Sequence, residues 1–396
     1  MSEINLHENT KAKMQKEDVL KRNTKKKTRF MKNQLDEDSS GYIVEYEGNK
    51  LTVDYLYSRT NEQKEIIAKY LFDHFRSKGF PYPKFSEREL REDYFKLCDF
   101  NSQNVLSKEN IISSASNHGS KIFKHFNRHF WNTCEKESNS AIEVFNDDEK
   151  LMRVIRNRIG LDFYYRGVSY PFDISENMIR QGMRSMRLVP HTTNFRATIA
   201  KFFYDRYCSD GDIVYDYSSG FNQRLLGASS CTKKINYIGV DPWKETIDAG
   251  NEIIKFFDFK NVKLILSQSE IFCPEELKGK ISLALSSPPY YNKEIYSDDK
   301  TQAYSSRSYD DFLKEYWLKT ILNVRSLLKE KGLFIINVCD KQENKNIKED
   351  MENKIIENGF EKIEEYKLAL SKSHLSNKVG TENTMKYESI DVFRNK

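Results

Sequence analysis

From residue 212 onward, short apolar segments alternate with longer amphipathic ones, and that rhythm limits the fold more than any other feature of the chain. Asp212–Asp216, Tyr237–Asp241, Val262–Leu266, Ile281–Leu285 and Leu333–Val338 read as strands. The helices between them include one from Ser308 to about Lys329. Strands separated by helices form a parallel sheet with both faces covered. Two further strands, Ile363–Leu370 and Glu388–Phe393, read as an antiparallel addition at the sheet edge.

The first half has a different texture. Residues 1–40 are polar and aromatic-poor, with the run Lys21-Arg22-Asn23-Thr24-Lys25-Lys26-Lys27-Thr28-Arg29. That composition gives a disordered basic tail, either simply solvated or able to contact phosphates. Residues 41–185 read as a mainly helical domain. Gly48-Asn49 between Tyr42–Val44 and Leu51–Val53 suggests a hairpin. Thr60–Gln63 and Ser86–Glu89 are capping boxes that open helices. Lys121–Trp131 reads as a helix with Lys121, Lys124 and Arg128 on one side, and Ile122, Phe123, Phe126 and Phe130 on the other. It suits a core helix with a wet basic face, and such a face can also meet phosphates.

Two segments carry chemistry. In the first, the strand ending at Asp216 runs into Tyr217-Ser218-Ser219-Gly220-Phe221-Asn222 and then a helix. Gly220 lets the backbone approach a ligand closely. The next strand ends in Asp241, about 20 residues past Gly220, where a carboxylate can take both ribose hydroxyls of a nucleoside cofactor. Alone, the pair also fits an ordinary strand–turn–helix. In the second, the apolar strand Ile281–Leu285 runs into Ser286-Ser287-Pro288-Pro289-Tyr290-Tyr291-Asn292. Two prolines make a rigid extended turn without backbone donors, so its carbonyls are free to accept. An aromatic ring directly after them can stack on a planar base. The alternative is a proline-rich loop with packed tyrosines, but the position at a strand's carboxyl end favours a site.

Ser287-Pro288-Pro289-Tyr290 resembles the catalytic tetrapeptide of the S-adenosylmethionine-dependent DNA amino-methyltransferases. In that family the Ser-Pro-Pro-Tyr form goes mostly with N4 of cytosine, and Asp- or Asn-Pro-Pro-Tyr with N6 of adenine. Asn194-Phe195-Arg196-Ala197-Thr198 resembles the segment that wraps the methionine end of the cofactor, with Phe195 as its aromatic. Asp216, Ser218 and Gly220 resemble the cofactor turn, Asp241 the ribose acid, and Tyr387–Phe393 the closing strand. The resemblance covers roughly residues 186–396. Two positions depart from it. Asn222 stands where the family has a second turn glycine, and Asn tolerates left-handed backbone. The third strand leads to Ser267-Gln268-Ser269-Glu270, so Gln268 is the candidate adenine contact and Glu270 its rival.

The resemblance implies an α/β fold: a Rossmann-like methyltransferase sheet, mostly parallel with an antiparallel edge hairpin, and an N-terminal mainly helical domain. It implies S-adenosyl-L-methionine as cofactor, a DNA base flipped out of a duplex as substrate, and a restriction endonuclease as a candidate partner. Ser287 and the Pro288 carbonyl would accept the amine protons, and Tyr290 would stack on the base. Ring-carbon methylation needs a cysteine nucleophile, typically in a Pro-Cys pair, whereas this chain has Cys273-Pro274 before the wrong strand. Tyr291, Asn292, Lys293 and Arg307, together with Lys300 and Tyr304, form a loop able to clamp the substrate strand. That loop is too short for a recognition domain, so sequence reading falls by elimination to residues 41–185. Rival readings are an N6-adenine enzyme, an RNA or tRNA amino-methyltransferase, and a silent nucleic-acid-binding protein on the same scaffold.

Composition fits this picture. The net charge of +5 permits a polyanionic partner without demanding one. Six scattered cysteines without a CxxC suit free thiols in a reducing cytoplasm. No apolar run reaches 18 residues, and no secretory signal is visible, so no membrane association is expected. His125, His129 and Cys134 are too few for a convincing zinc site.

Overall fold

The computed structural model describes residues 42–113, 116–162, 170–190, 194–289, 291, 294–296, 308–339, 346–369 and 387–396. The basic tail lies outside them, as do Tyr290, Asn292, Lys293, Lys300, Tyr304 and Arg307.

Eight strands form the main sheet: β1 (Ile111–Ser113), β2 (Ile213–Asp216), β3 (Asn236–Asp241), β4 (Val262–Leu266), β5 (Ile281–Ser286), β6 (Leu328–Val338), β7 (Phe360–Ala369) and β8 (Tyr387–Asn395). Their spatial order is β1-β7-β8-β6-β5-β2-β3-β4. β8 is antiparallel to both its neighbours, and every other pairing is parallel. This is a Rossmann-like sheet, mostly parallel, with the antiparallel β8 wedged inside β7. Every residue of β5 is buried, as its unbroken apolar run requires of a central parallel strand. β1 is an addition that the sequence reading lacked: three residues from the first half of the chain pair with Lys367–Ala369 and make the sheet's outer edge.

Side chains alternate across the sheet. Val214, Leu283, Leu285 and Ile335 face one layer, with helices α8 (Ala197–Tyr207) and α9 (Gln223–Ser230). α10 (Lys244–Phe257) contributes Ile253 to that layer. Tyr215, Ala284, Phe334 and Ile336 face the other. That layer contains α11, a continuous helix with a π-helical stretch at Phe312–Leu318 between Tyr309–Asp311 and Lys319–Leu327, and α12 (Ile347–Glu357).

Ahead of these come α1 (Val53–Tyr57), α2 (Asn61–Lys78), α3 (Glu87–Asp99), α4 (Ser120–Phe126), α5 (Ala141–Asn146), α6 (Asp148–Arg158) and α7 (Glu176–Ser185). Both expected capping boxes are present, on α2 and α3. The hairpin turns one residue earlier than expected, at Glu47-Gly48, both with positive φ. The expected helix Lys121–Trp131 is not continuous. It stops at Asn127, whose side chain amide donates to the Phe123 carbonyl, and resumes as a 3-10 turn at Arg128–Asn132. His125 and His129 therefore leave the shared helical face assumed for a zinc site. His125 Nδ1 accepts from the Phe85 amide at 3.1 Å, and His129 meets the Thr246 hydroxyl at 3.3 Å.

The two halves share their cores. Leu90, Leu97, Ile112 and Ile122 pack in the layer over β2 and β5, while Phe221 and Trp243 pack among Phe123, Phe130 and Trp131. Packing thus runs across the division at residue 185. All six cysteines are unbridged. No helix among the described residues is long and apolar enough to cross a membrane.

Candidate functional site

β5 and β2 are neighbours whose connections leave in opposite directions, which makes their carboxyl ends the switch point where open α/β sheets bind ligands. Both sequence motifs end there. The cofactor turn follows β2, and Ser287-Pro288-Pro289 follows β5.

The turn is held from beneath. Asp216 is fully buried; its carboxylate accepts from Arg224 Nε at 2.8 Å and from the Tyr237 hydroxyl at 2.6 Å. Through these contacts Asp216 braces the turn from the core side. Arg224 was not singled out by sequence reasoning, yet it is the hub. Its other guanidinium nitrogen donates to the Ser218 carbonyl and, at 3.3 Å, to Ser286 Oγ. Its guanidinium stands 5.6 Å from the centre of the Phe195 ring. Burial opposes its charge, but Asp216 outweighs that and holds its pKa above the usual value. One side chain thus joins the Asn194–Thr198 segment, the cofactor turn and the end of β5. The signal was present in the sequence: a lone arginine at the start of a short helix that is otherwise Gln, Leu, Gly, Ala and Ser.

Gly220 has φ +55°, the left-handed region that favours glycine, and a methyl group there would lie in ordinary contact with Arg224 and the Ser218 carbonyl at 3.8 Å. Its amide donates to Asp241 at 2.8 Å, and the Trp243 amide donates to the other oxygen at 2.9 Å. Burial pushes the Asp241 carboxyl up to about 7 despite these two donors. Asn222 adopts φ 62° and ψ 13°, the left-handed conformation that a glycine would take. Its side chain donates to Asn127 Oδ1 and to the Thr246 carbonyl, both at 3.0 Å. The departure from the family glycine therefore keeps the turn and ties it to the first half of the chain. Ser218 is half-buried and uses its carbonyl, not its hydroxyl, in the Arg224 contact. After β4, Gln268 Nε2 donates to Glu270 Oε1 at 3.3 Å, so the two candidate adenine contacts stand together.

At the end of β5 the serines point opposite ways, as strand geometry requires. Ser286 Oγ donates inward to the Ser218 carbonyl at 3.1 Å. Ser287 Oγ donates to Asn337 Oδ1 on β6 at 3.3 Å. Pro288 is buried and Pro289 half-buried. Tyr291 packs edge-on against Tyr309, ring centres 5.2 Å apart, and lies 5.6 Å from Phe312, so it anchors the loop to α11. Glu294–Ile295 pairs with Cys134–Glu135, and Tyr296 lies 6.0 Å from Phe221. Chain downstream of the tetrapeptide is thereby fastened to the first half.

Two unsatisfied groups bear on a ligand. The Tyr316 hydroxyl is buried within reach of Ser218, Ser269, Glu270 and Asp241, and finds no well-formed hydrogen bond among the described residues. The side chain amide nitrogen of Asn194 is likewise buried without a partner there. Among the described residues no three potential metal ligands come together.

No family model matches the chain, and no curated protein matches it. Solved structures share part of the fold. An rRNA methylase from Streptococcus thermophilus is 14% identical, covers 52% of this chain and 99% of its own, and superposes with a TM-score of 0.36. A methyltransferase from Pyrococcus furiosus is 14% identical over 52% of this chain and 85% of its own, at 0.35. TYW2 from M. jannaschii, solved in complex with AdoMet, is 15% identical over 52% of this chain and 80% of its own, at 0.32. At that level of superposition, the chemistry must be read from this chain's own residues.

Proposed function

We propose that this chain is an S-adenosylmethionine-dependent methyltransferase acting on an exocyclic amino group of a nucleic-acid base, N4 of a flipped-out cytosine in DNA. The observation that carries this reading is the meeting of Ser287-Pro288-Pro289 with the Gly220 turn at one end of the sheet, joined through Ser286 and Arg224.

The residues fit the cofactor. Asp241 has lone pairs left for ribose hydroxyls after its two amide contacts. Tyr316 and Asn194 bring buried polar atoms without a well-formed hydrogen bond among the described residues. When bound, S-adenosylmethionine supplies a methyl group that leaves its sulfur without the bonding electron pair.

The chain's own part is acceptance and position. An aromatic amine is a poor nucleophile because its lone pair is delocalised into the ring. Ser287 Oγ and the Pro288 carbonyl accept its two protons in hydrogen bonds and localise that lone pair. The nitrogen then forms the new bond to carbon, and the methylated amine releases one proton to solvent. A paired base cannot reach a site of this kind, so the target leaves the stack, with Tyr290 as its stacking surface. The preference for DNA and for cytosine rests on the resemblance carried by Ser287; RNA and N6 of adenine are the outcomes that would replace it.

Labelled transfer to unmodified genomic DNA, compared between wild type and Ser287→Ala, tests the proposal. The variant should bind S-adenosylmethionine normally and transfer roughly a hundredfold more slowly. Equal rates would remove Ser287 from the chemistry.

A further inference from the structure

Asn337 sits on β6, outside every sequence motif, and is 3% exposed. Its side chain nitrogen donates to the Ser389 carbonyl at 3.0 Å and toward Glu388 Oε2 at 3.5 Å, both on β8. Its oxygen accepts the Ser287 hydroxyl. Both partners of the nitrogen are acceptors. Turning the amide over would set its oxygen against two oxygens, so the orientation is locked.

A serine hydroxyl has one hydrogen and two lone pairs. With its hydrogen committed to Asn337, Ser287 can only accept from whatever enters the site. A freely turning hydroxyl could instead donate to the amine nitrogen and tie up the lone pair that must attack. Ser286, one residue earlier, shows the contrast: it faces the Ser218 carbonyl and Arg224 and is closed to substrate.

We infer that Asn337 is a positioning residue that fixes the direction of the Ser287 hydrogen bond and so makes Ser287 an obligate acceptor for the substrate amine. This rests on the methyltransferase reading above. It also explains why the inserted strand β8 matters to the site: its backbone carbonyl orients the amide that orients the serine.

The test is a double-mutant cycle on the full chain, with labelled S-adenosylmethionine and unmodified genomic DNA as probe. Asn337→Ala should lower kcat about tenfold, the scale of one hydrogen bond, with cofactor affinity and KM for DNA unchanged. In a Ser287→Ala background, Asn337→Ala should have no further effect on kcat, because there is no hydroxyl left to direct. Asn337→Ser, which retains an acceptor, should recover part of the loss. Losses that multiply in the double variant, or a wild-type rate in Asn337→Ala, would overturn the inference while leaving the methyltransferase reading intact. A wild-type chain that moves no label into DNA or into total RNA would overturn both.

Discussion

At the residue scale, Asp241 makes the sharpest prediction. A carboxyl raised to about 7 by burial is half protonated near neutrality. Donors such as ribose hydroxyls stabilise its charged form, so its pKa must fall when a nucleoside cofactor binds. Affinity for S-adenosylmethionine should therefore rise with pH until about 7 and then level off, with proton release on binding below that point. The unliganded protein has the opposite slope. Its raised carboxyl binds more protons folded than unfolded, so the stability it contributes is greatest at acid pH and is lost as pH rises through about 7. Calorimetry in buffers of different ionisation heat reads the proton release. Asp241→Asn should bind weakly with a flat profile; a flat profile in the wild type would deny Asp241 the contact. His129, by contrast, is pushed down to about 4 by burial and stays neutral between the two halves.

At the element scale, the site depends on three segments meeting at Arg224: α8 with Phe195, the turn after β2, and the end of β5. Removing the guanidinium would leave the buried Asp216 carboxylate without its cationic partner. Arg224→Met should cost about 3 kcal/mol or more in urea unfolding, and Asp216→Asn in the same chain should recover part of that loss. A loss below 1 kcal/mol would show that the pair does not hold the turn. Element identity was readable here because β2 to β6 are short apolar runs, set apart by helices except between β4 and β5, where only a 3-10 turn at Glu275–Leu277 intervenes, and only their ends moved: β6 begins at Leu328, with a register shift before Leu333. Three things were hidden. β1 is three residues long, too short for any period. The break at Asn127 depends on a partner, Asn222, that is remote in sequence. The place of β8 between β6 and β7 is a property of pairing, which strand patterns do not encode. The Arg224 partner of Asp216 was hidden for the same reason: an acid ending a strand looks alike whether it faces a ligand or an arginine eight residues on.

At the scale of the whole molecule, the first half is part of the fold as well as a candidate reader of sequence. β1 completes the sheet, Leu90 and Ile122 sit in the layer over β2, and Phe221 and Trp243 from the site lie in the first half's core. Residues 186–396 expressed alone should therefore fail to unfold cooperatively on heating, and should not bind S-adenosylmethionine. A truncated chain with a sharp transition and intact binding would show an independent catalytic unit. The central claim is tested most directly by incubating the full chain with labelled S-adenosylmethionine and unmodified genomic DNA, digesting the DNA and identifying the labelled nucleoside. The account predicts N4-methylcytosine. N6-methyladenine would keep the chemistry and overturn the base, and label confined to RNA in a parallel reaction would overturn the substrate. Absence of label from both would contradict the account.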